Sequence, residues 1–404
     1  MHEVTEPYGI ETIAIRAGQR RSAEAEHNEP IFTTSSFVFE NAADAAAKFS
    51  GKISGNVYSR FTNPTVRGFE ERLAAMEGGR FAIATASGMS AILCLALSVL
   101  KAGDRVAVSE NVFGSTVSLF TKTLSSFGVS TDFVPITDLS AWERAMTPRT
   151  RLLFVETPSN PTCEIADLES LSKIAKDAGA LLAVDNVYCT PILQTPIAFG
   201  ADVVVHSATK YLDGQGRCVG GALVVNDRAL YDDLFNTLRT TGPSMSPFNA
   251  WVFQKGLETL ALRMKAHCDH AAELAHWLKQ HPSVRRVYYP GLTTHPGHCL
   301  ALKQQGGFGG IVSFEIHGSR SDAWQVIDNT RLLSITANLG DTRSTITHPA
   351  STTHARISEQ QRRAAGITDS MLRIGVGLEN PDDIKTDIER GLDAITPSAS
   401  RVAN

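Results

Sequence analysis

Long hydrophobic runs are missing from this 404-residue chain. Its longest apolar stretch, Ala91 to Leu100, falls far short of the roughly 20 residues a bilayer crossing needs, so no membrane partner is expected. Cysteine is sparse, with six residues at 94, 163, 189, 218, 268 and 299 and no C-x-x-C pair. They read as reduced thiols in a reducing compartment rather than a disulfide framework. Neither sign of charge dominates: the net charge of −4 gives no reason to expect nucleic acid or an anionic membrane as partner. The start, Met1-His-Glu-Val-Thr-Glu, lacks an apolar export region, which predicts a cytoplasmic protein. No repeat or low-complexity tract is evident, and the Pro-Ser-Ala-Ser tail after Thr396 is expected to fray. A metal centre is not expected either. His267, His270 and His276 share one helical stretch but lack closed four-ligand spacing, and His295 and His298 flank Pro296-Gly297 as turn residues.

What is present is strand–helix alternation. Apolar strands recur near 81–85, 105–109, 129–134, 151–156, 181–185, 202–206 and 219–225, separated by helical stretches near 87–101, 115–127, 138–146 and 167–178. This predicts an α/β fold with a mostly parallel, helix-covered sheet of seven strands. Helices near 227–240 and 247–280 follow, then short strands near 284–288, 309–316, 331–335 and 371–376 and a helix near 382–395. These predict a smaller C-terminal α/β domain with an antiparallel sheet. Residues 1–60 read as an irregular polar arm, 61–255 as the large domain and 256–404 as the small one, with the boundary beside Gly256.

Three stretches carry chemistry. Val203-Val-Val-His-Ser-Ala-Thr-Lys210 runs from a buried strand to a single lysine. Desolvation there lowers a lysine's pKa and makes its amine a usable nucleophile, although a snorkelling lysine at a strand end fits the segment alone. Leu181-Leu-Ala-Val-Asp185 ends another buried strand in a carboxylate, at the edge where α/β sheets bind ligands. Such an acid can hold a pyridine nitrogen protonated; a helix cap or a ribose-binding acid are the alternatives. The dinucleotide reading is weak, because no G-x-G-x-x-G loop precedes Asp185. Ala86-Ser-Gly88-Met89 opens an apolar helix whose first amides could receive a phosphate, or it is an ordinary serine cap.

Together with Tyr58-Ser-Arg60-Phe-Thr-Asn-Pro64-Thr65 and Glu156-Thr-Pro-Ser-Asn160-Pro161, these stretches resemble, from about Thr12 to Ala394, the Cys/Met-metabolism group of pyridoxal-phosphate (PLP) enzymes of fold type I. That group includes cystathionine synthases and lyases, methionine lyase and homoserine-ester sulfhydrylases. The resemblance implies bound pyridoxal 5′-phosphate. Lys210 matches the Schiff-base lysine. Ser207, Thr209 and the amides of Gly88 and Met89 match the phosphate cradle, and Phe113 the position that stacks on the cofactor ring. Asp185 matches the acid at the ring nitrogen. Asn160 matches a contact to both the cofactor and the substrate carboxylate, and Arg373 the residue that grips the α-carboxylate. Tyr58 and Arg60 match a pair that crosses to a neighbouring subunit's phosphate. The resemblance therefore implies shared active sites in a homo-oligomer, commonly a dimer of dimers. Glu156 orients the Asn160 loop in this reading.

Two departures bear on the substrate. Phe113 stands where most of the group has tyrosine, so no phenol is available to help expel a thiolate or amine. A carboxylate leaves without that help, which favours an acyl ester. Asn338 stands where many relatives have serine, and Arg343 where glutamate is common. An arginine there suits a dicarboxylic ester such as O-succinylhomoserine, unless it is a plain surface residue. The expected reaction is γ-replacement by sulfide, giving homocysteine and succinate, with Lys210 and Tyr58 as the proton-moving groups and none of the six cysteines catalytic. Cysteine as the nucleophile, O-acetylhomoserine as the ester, a γ-lyase reaction, and a nicotinamide dehydrogenase or a non-catalytic binding module are the alternatives.

Overall fold

A computed structural model of the chain describes residues 8–355 and 358–395. The acidic start and the tail after Thr396 lie outside the described residues.

Seven strands form the main sheet: β1 (Phe81–Thr85), β2 (Arg105–Ser109), β3 (Ser130–Val134), β4 (Thr150–Glu156), β5 (Leu181–Asp185), β6 (Val203–His206) and β7 (Gly221–Val225). Their order is β1-β7-β6-β5-β4-β2-β3. β7 runs antiparallel to β1 and β6, and the remaining pairs are parallel. The central strands explain themselves: Val203, Val204 and Val205 on β6 and Leu182, Ala183 and Val184 on β5 are fully buried, as expected where helices cover both faces.

Covering helices start where polar caps stand in the sequence. Asn63 caps Pro64–Glu77, Ser87 caps Gly88–Val99, Asp167 caps Leu168–Asp177 and Asp227 caps Arg228–Thr241, each through its side chain. The helix expected at 115–127 is less regular. Gly114–Ser118 is α-helical, Leu119–Leu124 widens into a π-helix, and a 3-10 turn over Ser125–Phe127 ends at Gly128 with φ 81°.

A second sheet contains β8 (Val284–Tyr288), β9 (Ile311–Ile316), β10 (Ser334–Ile335), β11 (Thr345–Thr347) and β12 (Met371–Gly375) in the order β10-β11-β12-β9-β8. It is antiparallel except for the β10–β11 pair, which is parallel. β11 was not expected: a three-residue Thr-Ile-Thr strand carries too little periodicity to stand out.

The long helical region breaks at Thr259, between Pro247–Glu258 and Leu260–Gln280. The first of these packs on Pro64–Glu77, the second on β8 and β9. Gly256, beside the expected boundary, meets a packing demand. A Cβ there would stand 2.1 Å from the Leu212 carbonyl, so the residue lets the loop after Lys210 lie against the helix.

Residues 8–60 are less irregular than expected, with helices at Ile10–Arg16 and Ala42–Phe49. Glu29 is tied to the large domain by Arg72 at 2.5 Å and Lys255 at 2.6 Å.

Candidate active site

The carboxyl ends of β4, β5 and β6 open into a cavity of about 400 Å³, closed on the far side by Ala337–Leu339. Lys210 reaches it from a tight turn after β6, in which its N–H donates to the Ser207 carbonyl at 3.2 Å. Its ammonium donates to Asn338 Oδ1. Burial, and then the nearby Arg373 charge, push the Lys210 ammonium down to about 8. A neutral amine is thus accessible near neutral pH, which a snorkelling lysine would not offer.

Asp185 ends β5 inside the same cavity, and its Oδ1 accepts the Val187 N–H at 3.1 Å. Burial raises its pKa, and the Val187 N–H and His206 oppose the rise. Glu156, at the end of neighbouring β4, registers with Asp185. Burial and then the Asp185 charge raise the Glu156 carboxyl well above the usual range. Glu156 accepts the Phe113 N–H at 2.8 Å, so it fixes the backbone of the aromatic residue on the cavity wall. The expected link from Glu156 to the Asn160 loop is replaced by this bond to Phe113.

Arg373 rises from β12, 1% exposed. It donates to Asn160 Oδ1 at 3.1 Å and to the Ala337 and Asn338 carbonyls at 2.8 and 3.2 Å. No described carboxylate pairs with it, and its buried Nε has no partner. A structural ion pair is therefore not its role here. The guanidinium lines the cavity with no described carboxylate on it, and its planar fork suits a carboxylate ligand.

Ser87, Gly88 and Met89 begin the 12-residue helix Gly88–Val99 at the cavity edge, opposite Ser207 and Thr209. A Cβ on Gly88 would come within 2.9 Å of the Ser207 Cβ, so the glycine keeps the turn and the hydroxyls close together. Thr209 is fixed by the Gly220 N–H at 3.1 Å.

Two groups of expected site residues do not join this cavity within the chain. Arg60 lines a separate cavity, sits over the Tyr58 and Phe61 rings at 5.5 and 4.7 Å and donates to the Arg239 carbonyl. Tyr58 is 40% exposed. Arg343 is absent from the cavity wall; it is exposed, and its N–H donates to Asp341 Oδ1 at 3.0 Å. Ser87, Thr116, Val187 and Tyr188 line the cavity without having been singled out. Ser87 and Val187 had a signal, standing beside residues that were. Tyr188 had none, because a tyrosine after a strand end reads as core.

None of the six cysteines lines the cavity. All six are free. Burial pushes the Cys94, Cys218 and Cys268 thiols up to about 11 and Cys163 to about 12. No helix among the described residues is long and apolar enough to cross a membrane.

The donor set fits pyridoxal phosphate. It comprises helix-start amides with two hydroxyls for a phosphate, a buried carboxylate for the ring nitrogen, a depressed lysine for an aldehyde, and an unpaired arginine for an amino-acid carboxylate.

Comparison with known proteins agrees. The profile of the Cys/Met metabolism PLP-dependent enzymes matches residues 11–393. An O-succinylhomoserine sulfhydrylase from Pseudomonas aeruginosa is 58% identical over 96% of this chain and 96% of its own. An L-methionine gamma-lyase from Fusobacterium nucleatum subsp. polymorphum is 42% identical, covering 97% and 100%. Among solved structures, a putative O-acetylhomoserine (thiol)-lyase from Campylobacter jejuni superposes with a TM-score of 0.92 at 36% identity, covering 96% of this chain and 100% of its own; it contains N′-pyridoxyl-lysine-5′-monophosphate. A cystathionine gamma synthase from Xanthomonas oryzae pv. oryzae, in complex with cystathionine, superposes with a TM-score of 0.92 at 37% identity, covering 96% and 99%.

Proposed function

This chain belongs to the Cys/Met metabolism PLP-dependent enzymes, and from that premise we propose that it converts O-succinylhomoserine and sulfide to homocysteine and succinate. The observation that carries the reading is a lysine pushed down to about 8 in one cavity with Asp185 and an unpaired Arg373. Likeness at 58% identity to a sulfhydrylase supports this ester and nucleophile among the family's reactions.

Bound pyridoxal phosphate supplies an aldehyde and a ring that draws electrons from the substrate's Cα. The chain's own groups do the rest. Arg373 and Asn160 hold the α-carboxylate, so the Cα–H bond stands near the Lys210 amine. Lys210 takes the Cα proton, and Lys210 or Tyr58 moves a Cβ proton. Succinate then leaves from Cγ, and HS⁻ adds at the same carbon. Proton return to Cβ and Cα completes the exchange. Ser207, Thr209, Gly88 and Met89 anchor the phosphate, Phe113 stacks on the ring, and Asp185 faces the ring nitrogen. Asn338 sits against Lys210 and the substrate. Arg343 has no place in this scheme, since it stands off the cavity wall.

Tyr58 and Arg60 act in the cavity of a second copy, so the working unit is a homo-oligomer, a dimer of dimers in the cytoplasm. The chain divides into an arm over 1–60, a PLP-binding domain over 61–255 and a small domain over 256–404.

Paired steady-state assays test the reading, with sulfide and cysteine offered against O-succinyl- and O-acetylhomoserine. Preference for sulfide with the succinyl ester is expected. Strong preference for cysteine would make the chain a cystathionine γ-synthase. The likeness to a methionine lyase favours one further reading, which release of 2-oxobutyrate from methionine without any ester would establish.

A further inference from the structure

Behind Asp185, away from the cavity, lies a buried polar cluster that the reaction scheme does not use. Glu77 is the last residue of the helix Pro64–Glu77, which Gly78 ends at φ 69°. Gly79 packs so tightly that a Cβ would stand 2.3 Å from Val224 Cγ1. This close descent delivers the Glu77 carboxylate between strand ends, where it is fully buried. Its Oε1 accepts Asn186 Nδ2 at 2.8 Å and lies 2.6 Å from His206 Nε2. Asn186 and His206 are fully buried too. Asn186 is held in turn by Gln194, through Nδ2 to the Gln194 carbonyl at 2.8 Å and Oδ1 from Gln194 Nε2 at 3.1 Å.

This arrangement is costly if it is only scaffold. Glu77 Oε2 and His206 Nδ1 are both buried without a partner. A buried carboxylate left without a partner loses several kcal/mol of hydration, and His206 is the only basic side chain within ion-pair distance of Glu77 among the described residues. The pair sits next to the Asp185 strand end. His206 follows Val205, which registers with Asp185 across the β5–β6 ladder. The titratable groups facing this region are few: Glu77 from the helix, Asp185 from β5, Glu156 beyond it on β4, and the Cys189 thiol near Glu77. Three are carboxyl groups, so the His206 ring is the one basic group among those facing the Asp185 strand end from behind.

We propose that His206, clamped by Glu77, is a positioning residue that supports the Asp185 carboxylate and, through it, the protonated ring nitrogen of bound pyridoxal phosphate. His206 is absent from the cavity wall, so it touches neither cofactor nor substrate. His206 also opposes the upward push of burial on the Asp185 carboxyl. The inference rests on the role of Asp185 given above.

Ring-nitrogen-labelled cofactor, bound to holoenzyme without substrate, provides the test by ¹⁵N NMR. His206→Gln keeps a donor toward Glu77 but removes the basic ring. Its ring-nitrogen signal is expected to move toward the unprotonated position, with kcat falling about tenfold, the size of one pKa unit on Asp185, and KM nearly unchanged. Glu77→Gln keeps an acceptor for Asn186 while removing the counter-charge, and is expected to move the signal the same way by less. Combined with His206→Gln it should add nothing further. Asp185→Asn is the reference and should move the signal most. If Asp185→Asn moves it while the folded His206 and Glu77 variants leave it in place, the pair is only structural and the proposal is overturned. If Asp185→Asn also leaves it in place, the assigned role of Asp185 falls together with the proposal.

Discussion

Between β5 and Lys210 nearly every strand side chain is buried. Between Ile31 and Phe61, by contrast, Val38 is 97% exposed, Phe49 53% and Ile53 51%. The helix Ala42–Phe49 has no buried residue at all. Both regions carry expected site residues, yet only the first assembles them within one chain. The strand ends place Asp185 and Lys210 because a parallel sheet aligns its carboxyl edges, which needs nothing from outside. Among the described residues nothing covers the arm's apolar surface, and its Arg60 engages only a carbonyl and aromatic rings. A second copy of the chain is the covering surface that the reading of Tyr58 and Arg60 calls for.

Lys210→Ala puts the largest strain on this contrast, because it strikes the self-sufficient region. Turnover should fall on the order of 10⁴-fold or more, since both nucleophile and base are lost. Borohydride reduction followed by mass spectrometry should find no pyridoxyl adduct, while circular dichroism remains that of the parent. An adduct on a different side chain would remove the floor of the cavity from the scheme. The same lysine sets a pH dependence. Its pKa is lowered, so the neutral amine is the main form above about 8 and disappears as pH falls below it. Covalent capture of added pyridoxal phosphate by apoprotein should therefore slow about tenfold per pH unit below that midpoint and level off above it, as followed by the rise in visible absorbance.

Arg60→Ala attacks the arm instead. Alone it should weaken cofactor binding and turnover. Refolded in equal mixture with Lys210→Ala, it should recover activity at about a quarter of the sites, because a mixed dimer rebuilds one intact cavity from two damaged chains. No recovery, with mixed oligomers confirmed by mass, would place Arg60 in its own chain's cavity.

The same contrast decides what was legible in the sequence. All seven strands of the main sheet fall within two residues of their expected positions, since buried parallel strands are short, apolar and bounded by turns. Lys210, Asp185 and Gly88 were readable because each interrupts such a pattern at a strand or helix end. Two kinds of feature were not. β11 is too short to show a period, and the Glu77–His206 pair joins residues 129 positions apart, which spacing along a chain does not reveal. Arg343 was hard to place for a related reason: a charge near a motif says nothing of which side of the wall it occupies, and within this chain it is exposed. Arg373 could be read as either ion pair or ligand fork until the structure left it without a carboxylate. Arg373→Lys should lower kcat/KM about 10- to 100-fold, mostly through KM, because a point charge replaces a bidentate fork.

The smallest effect belongs to Phe113, which stands on the wall of the self-sufficient cavity yet carries no charge and no proton. Its backbone is fixed by Glu156, so a substitution there changes the ring's edge more than its place. The ring is 36% exposed, leaving room for one more oxygen. Phe113→Tyr adds a phenol that can donate to a leaving thiolate or amine, whereas succinate departs as a weak base and gains little. Turnover of O-succinylhomoserine with sulfide should change by no more than about threefold, while release of 2-oxobutyrate from methionine or cystathionine should rise up to about tenfold. A lyase rate that stays flat with an unchanged cofactor spectrum would mean that the missing phenol does not set the substrate, and that the choice lies with residues brought by the second chain.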